Sequence, residues 1–372
     1  MFDFFLNLSL HILFLSSAIY KLVPTKNFKD IKVHLTERYI VIWMATAIFF
    51  FVSFLFYFLE RKLKKRPKKL WWIFDFLGIV CFLMVISKDY AKFKTEILLL
   101  AFFLLVIIYS FFEMLPTSFI NQYRSQQKIK LEPIKKIMLV TEKDLEHLPL
   151  CVSRYLKYVN VVGKPKTENF EVHFRGYMKF KPKAKPINIK AEQTSVISNS
   201  TRIFLINSKL FGIPFKGLHL FTDSFAFMKI KLASILQVVN IQNEIMLQSE
   251  TVTFFNDMCL LAPSTLINQN IKWEEIDQYS AKATFTLNKV TISAVLEFNK
   301  EDQLINFVSK DRYYQTKEND YKLVQWSTPI EKYHTVNDQN LTKKASAIWS
   351  LPNEEFKYAD FEIIKFQSNV KK

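Results

Sequence analysis

The stretch YSAKATFTLNKVTISAVLEF, residues 279–298, sets the fold class. Tyr279, Ala281, Ala283, Phe285 and Leu287 alternate with Ser280, Lys282, Thr284 and Thr286; after Asn288-Lys289 the pattern resumes in Val290, Ile292, Leu296 and Phe298. Successive strand side chains point to opposite faces, so a period of two marks a strand with one face buried. Two such runs joined by a two-residue break predict a β-hairpin. Working outward, Phe170, Val172, Phe174, Met178 and Phe180 alternate with Glu171, His173, Arg175 and Lys179. Further strand-like runs occupy residues 187–197, 202–206, 217–221, 225–232, 304–313, 343–349 and 358–366. About ten strands with short connections predict an antiparallel sheet rather than alternating βαβ units. The apolar face of such a sheet must be covered. Val152, Tyr155, Leu156 and Val159 have the i, i+3, i+4, i+7 spacing of a covering helix, and residues 250–261 are a second helical candidate. Residues 141–372 are therefore expected to form an α+β domain, a large curved antiparallel sheet covered by one or two helices.

The first third obeys another rule. Residues 4–23, 39–59, 71–87 and 96–115 each approach the ~20 apolar residues that a helix needs to cross a bilayer. The expectation is an α-helical membrane bundle of four transmembrane helices over residues 1–116, then a polar connector over 117–140. The first stretch lacks a basic start and a small-x-small cleavage site, so it reads as a span rather than a signal peptide. Loop 60–70 carries seven Lys/Arg, and Arg124, Lys128, Lys130, Lys135 and Lys136 fall on the same side of such a bundle. Lys21, Lys26, Lys29, Lys32, Arg38, Lys88, Lys92 and Lys94 fall on the other. The positive-inside rule then gives a multi-pass protein of the cell (inner) membrane with a cytoplasmic globular domain. Asp75 and Glu113 lie near span ends and read as interfacial.

Composition removes several classes of function. The net charge is +17, but residues 121–372 hold 36 Lys/Arg against 26 Asp/Glu, a mild excess with no basic run, so no nucleic-acid partner is expected. Five glycines, and the absence of HExxH, CxxC, GxSxG, P-loop or dinucleotide patterns, leave no cofactor and no complete catalytic motif. His147, His173, His219 and His334 are not at metal spacing, and Cys81, Cys151 and Cys259 imply no disulfide framework. What remains is polar residues embedded in apolar blocks. Glu250 and Asp257, seven apart, share a helical stripe with Phe254 and Leu261. Asp311 and Arg312 end a strand-like run, and Arg202, Arg312 or Lys310 could neutralise a buried carboxylate. These residues support either a core ion pair tying helix to sheet or a ligand site built from Glu250, Asp257, Asp311, Arg312 and Arg202. Trp273, Trp326 and Trp349 read as core or sheet-edge packing.

The blocks GLHLFTDSFAFMKIKL (residues 217–232), ETVTFFNDMCLLAPSTLI (250–267), FVSKDRYY (307–314), WSTPI (326–330) and IWSLPNEEFKYADFEI (348–363) resemble the signature blocks of an uncharacterised bacterial family. Its members carry a conserved C-terminal domain of unknown function, often behind membrane-spanning segments. LPLCVSRYL (148–156) and VVGKP (161–165) resemble that domain's opening, and DYAKFKT (89–95) the loop before the last span. The resemblance implies a membrane protein and brings no activity, cofactor or catalytic residue. In outline the expected curved sheet is similar to carriers of lipoproteins and lipids. The expected function is non-enzymatic binding of a lipid or other apolar small ligand by an integral membrane protein, with membrane lipids as partners. The alternatives are a sensor-effector whose cytoplasmic β-domain binds a signal, and a hydrolase if Glu250, Asp257 and Asp311 converge in an open cleft. Oligomeric state leaves no mark in the sequence.

Overall fold

The computed structural model describes residues 93–131, 138–210, 212–317 and 320–371. The expected spans at 4–23, 39–59 and 71–87 lie outside the described residues. The fourth appears as helix α1 (Phe93–Met114). Two compact units divide between Ile108 and Tyr109, and the second, Tyr109–Lys372, contains the sheet. By length and composition Leu104–Lys128 is apolar enough to cross a membrane, among the described residues the one stretch that is. The helical path breaks within it, however, and the helix beyond the break packs on protein. Ser118 accepts a hydrogen bond from Asn121 N at 3.2 Å and caps α2 (Phe119–Lys130). Phe119 and Tyr123, one turn apart, pack on Ile203, Leu205, Leu218 and Leu220. The polar connector thus contains a helix that covers the outer face of the sheet. Its two aromatic anchors among polar neighbours were too few to signal one.

Helix α3 (Leu150–Val159) forms as its spacing predicts. After it comes a six-strand meander, β1 (Asn169–Met178), β2 (Ile187–Val196), β3 (Thr201–Leu210), β4 (Ile213–Phe221), β5 (Ala226–Leu232) and β6 (Leu236–Ile241). Next are helix α4 (Glu244–Leu261) and strands β7 (Ile271–Asp277), β8 (Ser280–Leu287), β9 (Val290–Phe298) and β10 (Leu304–Ser309). The small hairpin β11 (Tyr313–Lys317) and β12 (Asp320–Leu323) stands apart from the main sheet. Strands β13 (Trp326–Ser327), β14 (Ile330–Val336), β15 (Gln339–Leu351) and β16 (Glu354–Ser368) complete the domain. The order is β6-β5-β4-β3-β2-β1-β16-β15-β13-β10-β9-β8-β7, with β14 paired to β15 and every strand pairing antiparallel. The hairpin of residues 279–298 closes at Leu287 and Val290, with Asn288 at φ 53°, a conformation asparagine tolerates.

Among the described residues sixteen strands replace the expected ten or so. The additional ones, such as β6, β12 and β13, are short or lack alternation. The run expected at 304–313 is interrupted after Ser309, because the Asp311 carboxylate turns back onto the Ser293 amide (2.6 Å) and hydroxyl (2.9 Å).

The sheet curls around α4. Asn243 caps the helix by accepting from Met246 N at 2.8 Å, and every residue from Ser249 to Leu261 is buried. Phe254 meets Phe221 of β4 at 5.2 Å, whereas its neighbour Phe255 stacks on Phe285 of β8 at 4.9 Å. Adjacent residues thus touch opposite arms of the sheet, which requires apolar side chains around most of the helix. Helix α3 seals one end, with the Tyr155 hydroxyl donating to the Cys259 carbonyl at 2.8 Å.

The seam between β1 and β16 joins the meander to the C-terminal strands. It carries a register shift at His173/Phe174, and Gly176 lies opposite Phe361. A Cβ at position 176 would sit 1.8 Å from the Asp360 carbonyl oxygen, so this glycine permits close approach of two backbones. Gly176→Ala should destabilise the domain by about 2 kcal/mol or more, the upper part of the range for overpacking, read as a lowered midpoint in thermal or denaturant melts.

Candidate functional site

Arg202 enters from β3, on the face that meets α4. Its Nε lies 2.7 Å from Asp257 Oδ2 and its Nη1 3.0 Å from Glu250 Oε2. Side-chain exposures of 7% for Arg202, 5% for Glu250 and 12% for Asp257 make this a buried ionic trio. Gln193 of β2 donates to Asp257 at 2.7 Å, His219 Nδ1 of β4 stands 3.7 Å from Glu250, and the guanidinium lies 4.6 Å from the Phe204 ring centroid. Burial pushes the Glu250 carboxyl upward, but His219, Arg202 and Arg312 outweigh it and hold the group down to about 2. Burial prevails at Asp257, whose pKa is raised despite Arg202 and Gln193. Desolvation opposes the charge on Arg202, yet the two carboxylates raise its pKa. The trio is therefore an ionised Arg202–Glu250 pair with Asp257 the carboxylate that protonates more readily.

Above the trio the sheet does not close on the helix. A cavity of about 360 Å³ opens there. Phe174, Met178, Ile206, Phe215, Ile230 and Phe361 form apolar wall, and Arg202, Glu250 and Asp257 form a charged floor. Gly217 faces the same space from mid-strand, where a Cβ would meet Ile206 and Ile230 at ordinary distances of 3.7 and 3.8 Å. Its missing side chain leaves volume that a larger residue would fill. On another side stands Arg312, its guanidinium 4.3 Å from the Trp326 ring centroid and 5.4 Å from that of Trp349. Arg312 Nη1 donates to the Tyr358 hydroxyl at 3.1 Å, as does Trp326 Nε1 at 3.3 Å. A larger, open depression of about 990 Å³ runs along the outer face, where Arg175 pairs with Glu362 at 2.8 Å and Lys344 with Asp360 at 3.4 Å.

Of the residues singled out from sequence, Glu250, Asp257 and Arg202 meet, as the helical stripe and the need for a cation implied. Arg312 lines the cavity without pairing to either carboxylate, and Lys310 pairs with neither. Asp311 is engaged with Ser293, so the three acids do not converge in one cleft. Trp326 and Trp349, read as packing, are buried and also hold Arg312. Phe174, Gly217, His219 and Tyr358 were not singled out. A glycine amid the alternation of β4 was the available signal, since it marks a strand face with unfilled volume.

Removing one partner of a buried ion pair costs about 3–5 kcal/mol. Arg202→Met should therefore destabilise the full chain more than Glu250→Gln, and Asp257→Asn should be mildest because that carboxyl already favours its proton. Glu250 is depressed in the folded state, so its contribution is complete above its ordinary pKa of 4.5 and disappears as pH falls toward about 2. Melts across that interval should show a loss of wild-type stability that is smaller in Glu250→Gln.

No curated protein matches the chain. Among solved structures it is similar to a putative outer membrane lipoprotein-sorting protein domain from Vibrio parahaemolyticus (8% identity, 54% of this chain and 86% of that one, TM-score 0.33). It is also similar to a DUF1329 family protein from Desulfovibrio piger (12% identity, 63% and 95% covered, TM-score 0.34). A third is a LolA superfamily protein from Nitrosomonas europaea (11% identity, 63% and 96% covered, TM-score 0.36). A family model matches residues 138–361, which span α3, the sheet from β1 into β16, and the helix it encloses. The chain belongs to the family of unknown function DUF6544.

Proposed function

We propose that this protein is a membrane-anchored, non-enzymatic binder of an apolar ligand, with the ligand held in the cavity beside α4. The observation that carries the reading is the cavity itself. Protein interiors are close-packed, and a volume of about 360 Å³ enclosed largely by Phe, Met and Ile is large for a packing defect. It falls within the ~300–1,000 Å³ typical of small-molecule sites.

The anchor reading rests on α1. It is an apolar helix of 22 residues, and Leu104 and Leu105 expose apolar side chains. The C-terminal end of α1 is tied to the meander: Glu113 pairs with Lys216 and bonds Ser234, and the Tyr109 hydroxyl lies 2.9 Å from Lys216. Lys216 and Ser234 belong to the sheet end where the β1–β2, β3–β4 and β5–β6 turns lie. Exposed Phe180, Ile213 and Leu236 stand at that end, and Phe180 also lines the cavity. Besides Lys216, which is paired with Glu113, segments 178–187, 209–216 and 230–238 hold six lysines and no acid. A basic, apolar-tipped rim suits the anionic cytoplasmic leaflet, at about 1 kcal/mol per lysine near the surface. In this reading residues 1–116 form the four-span region and the domain is cytoplasmic.

Full-length protein in phosphatidylcholine nanodiscs should bind the neutral probe N-phenyl-1-naphthylamine above the level of empty discs. Gly217→Leu should weaken that binding at least tenfold while leaving the melting temperature within a few degrees; undiminished binding would count against the cavity. The chain should also stay in the membrane fraction through carbonate washing, and alkaline phosphatase fused after Lys372 should be inactive. Release by carbonate would remove the anchor, and an active fusion would reverse the orientation.

A further inference from the structure

Among the described residues five buried polar side-chain atoms have no hydrogen-bond partner, and three of them belong to residues lining the cavity: His219 Nδ1, Arg312 Nε and Thr342 Oγ1. Buried polar groups are almost always hydrogen-bonded, so their concentration at one cavity points to a polar group received there. The two arginines of the cavity differ sharply. Arg202 is ion-paired with both Glu250 and Asp257. Arg312 makes no ion pair among the described residues, and its one side-chain hydrogen bond there goes to the Tyr358 hydroxyl. Its guanidinium is held against Trp326 and Trp349, an arrangement that satisfies the face of the cation and leaves in-plane donors for another group. That fork suits a carboxylate or phosphate, which can accept two parallel N–H bonds. His219 Nδ1 stands 3.7 Å from Glu250, but Glu250 is already held by Arg202 at 3.0 Å.

We infer that the cavity selects a single-chain acidic amphiphile, with its carboxylate or phosphate head on Arg312, His219 a second donor, and its chain along Phe174, Met178, Ile206 and Ile230. The inference rests on the apolar-cavity reading and adds the ligand's charge and polarity. Volume favours one chain, since about 360 Å³ is near the lower limit for small-molecule sites and leaves no room for a diacyl lipid.

The test compares cis-parinaric acid with its methyl ester, titrated into full-length protein in phosphatidylcholine nanodiscs with empty discs subtracted. The two probes share a chain and differ in head charge. Wild type should bind the acid at least tenfold more tightly than the ester. Arg312→Gln should bind both with the ester's affinity, and Arg312→Lys should keep part of the preference. Melting curves establish that each variant is folded; if Arg312→Gln does not fold, the wild-type comparison and Arg312→Lys decide. Equal affinity of wild type for acid and ester would overturn the head-group inference and leave the apolar cavity standing. Retention of the full preference in Arg312→Gln would overturn the assignment to Arg312, and binding of neither probe would overturn both readings. Displacement by palmitate and by lysophosphatidic acid identifies the head, carboxylate or phosphate, by whichever competes at lower concentration; competition by neither counts against the inference.

Discussion

Two carboxylates on the wholly buried stretch of a helix, Ser249 to Leu261, impose the main constraint on this domain. Glu250 and Asp257 belong to the segment of α4 that is buried throughout, and an unpaired charge there would cost several kcal/mol. Arg202 meets both from the sheet, at 3.0 and 2.7 Å. The trio therefore fixes the rotation of α4 about its axis and the height of β3 against it. With that register set, Phe254 and Phe255 reach opposite arms of the sheet. A buried ion pair contributes little net stability compared with well-packed apolar residues. Its effect here is geometric.

The same constraint accounts for the cavity. Charged side chains between β3 and α4 hold helix and sheet at a distance that the apolar side chains beyond them do not fill, and Gly217 removes a side chain from that region. The walls are built from strands of the N-terminal meander together with β15 and β16, which the β1–β16 seam brings side by side. The close backbone approach at Gly176 thus lies at the joint on which the continuity of those walls depends.

Much of this organisation was legible in the sequence because it arises from periodicity. The hairpin around Asn288, the alternation of β1, the helical stripe carrying Glu250 and Asp257, and α3 were readable from local spacing. So was the need for a cation opposite the stripe, although not which of three candidates would supply it. The unread features depend on partners distant in the chain. Strands β12 and β13 are too short to show a period. Helix α2 is held by two aromatic residues that meet β3 and β4 about 80–100 residues later, a pairing that one-dimensional patterns do not encode. Trp326 and Trp349 look like core residues in isolation, and only the fold brings Arg312 between them and the cavity.

The central claim is that the cavity holds an amphiphile in the cell. It is tested most directly by purifying the full-length protein and the Gly217→Leu variant from the same membranes, extracting each with organic solvent and quantifying the lipids by mass spectrometry. The account predicts one single-chain acidic species near one mole per mole of wild type and strongly depleted in the variant. Identical lipid profiles from the two proteins, with no species enriched on wild type, would contradict it.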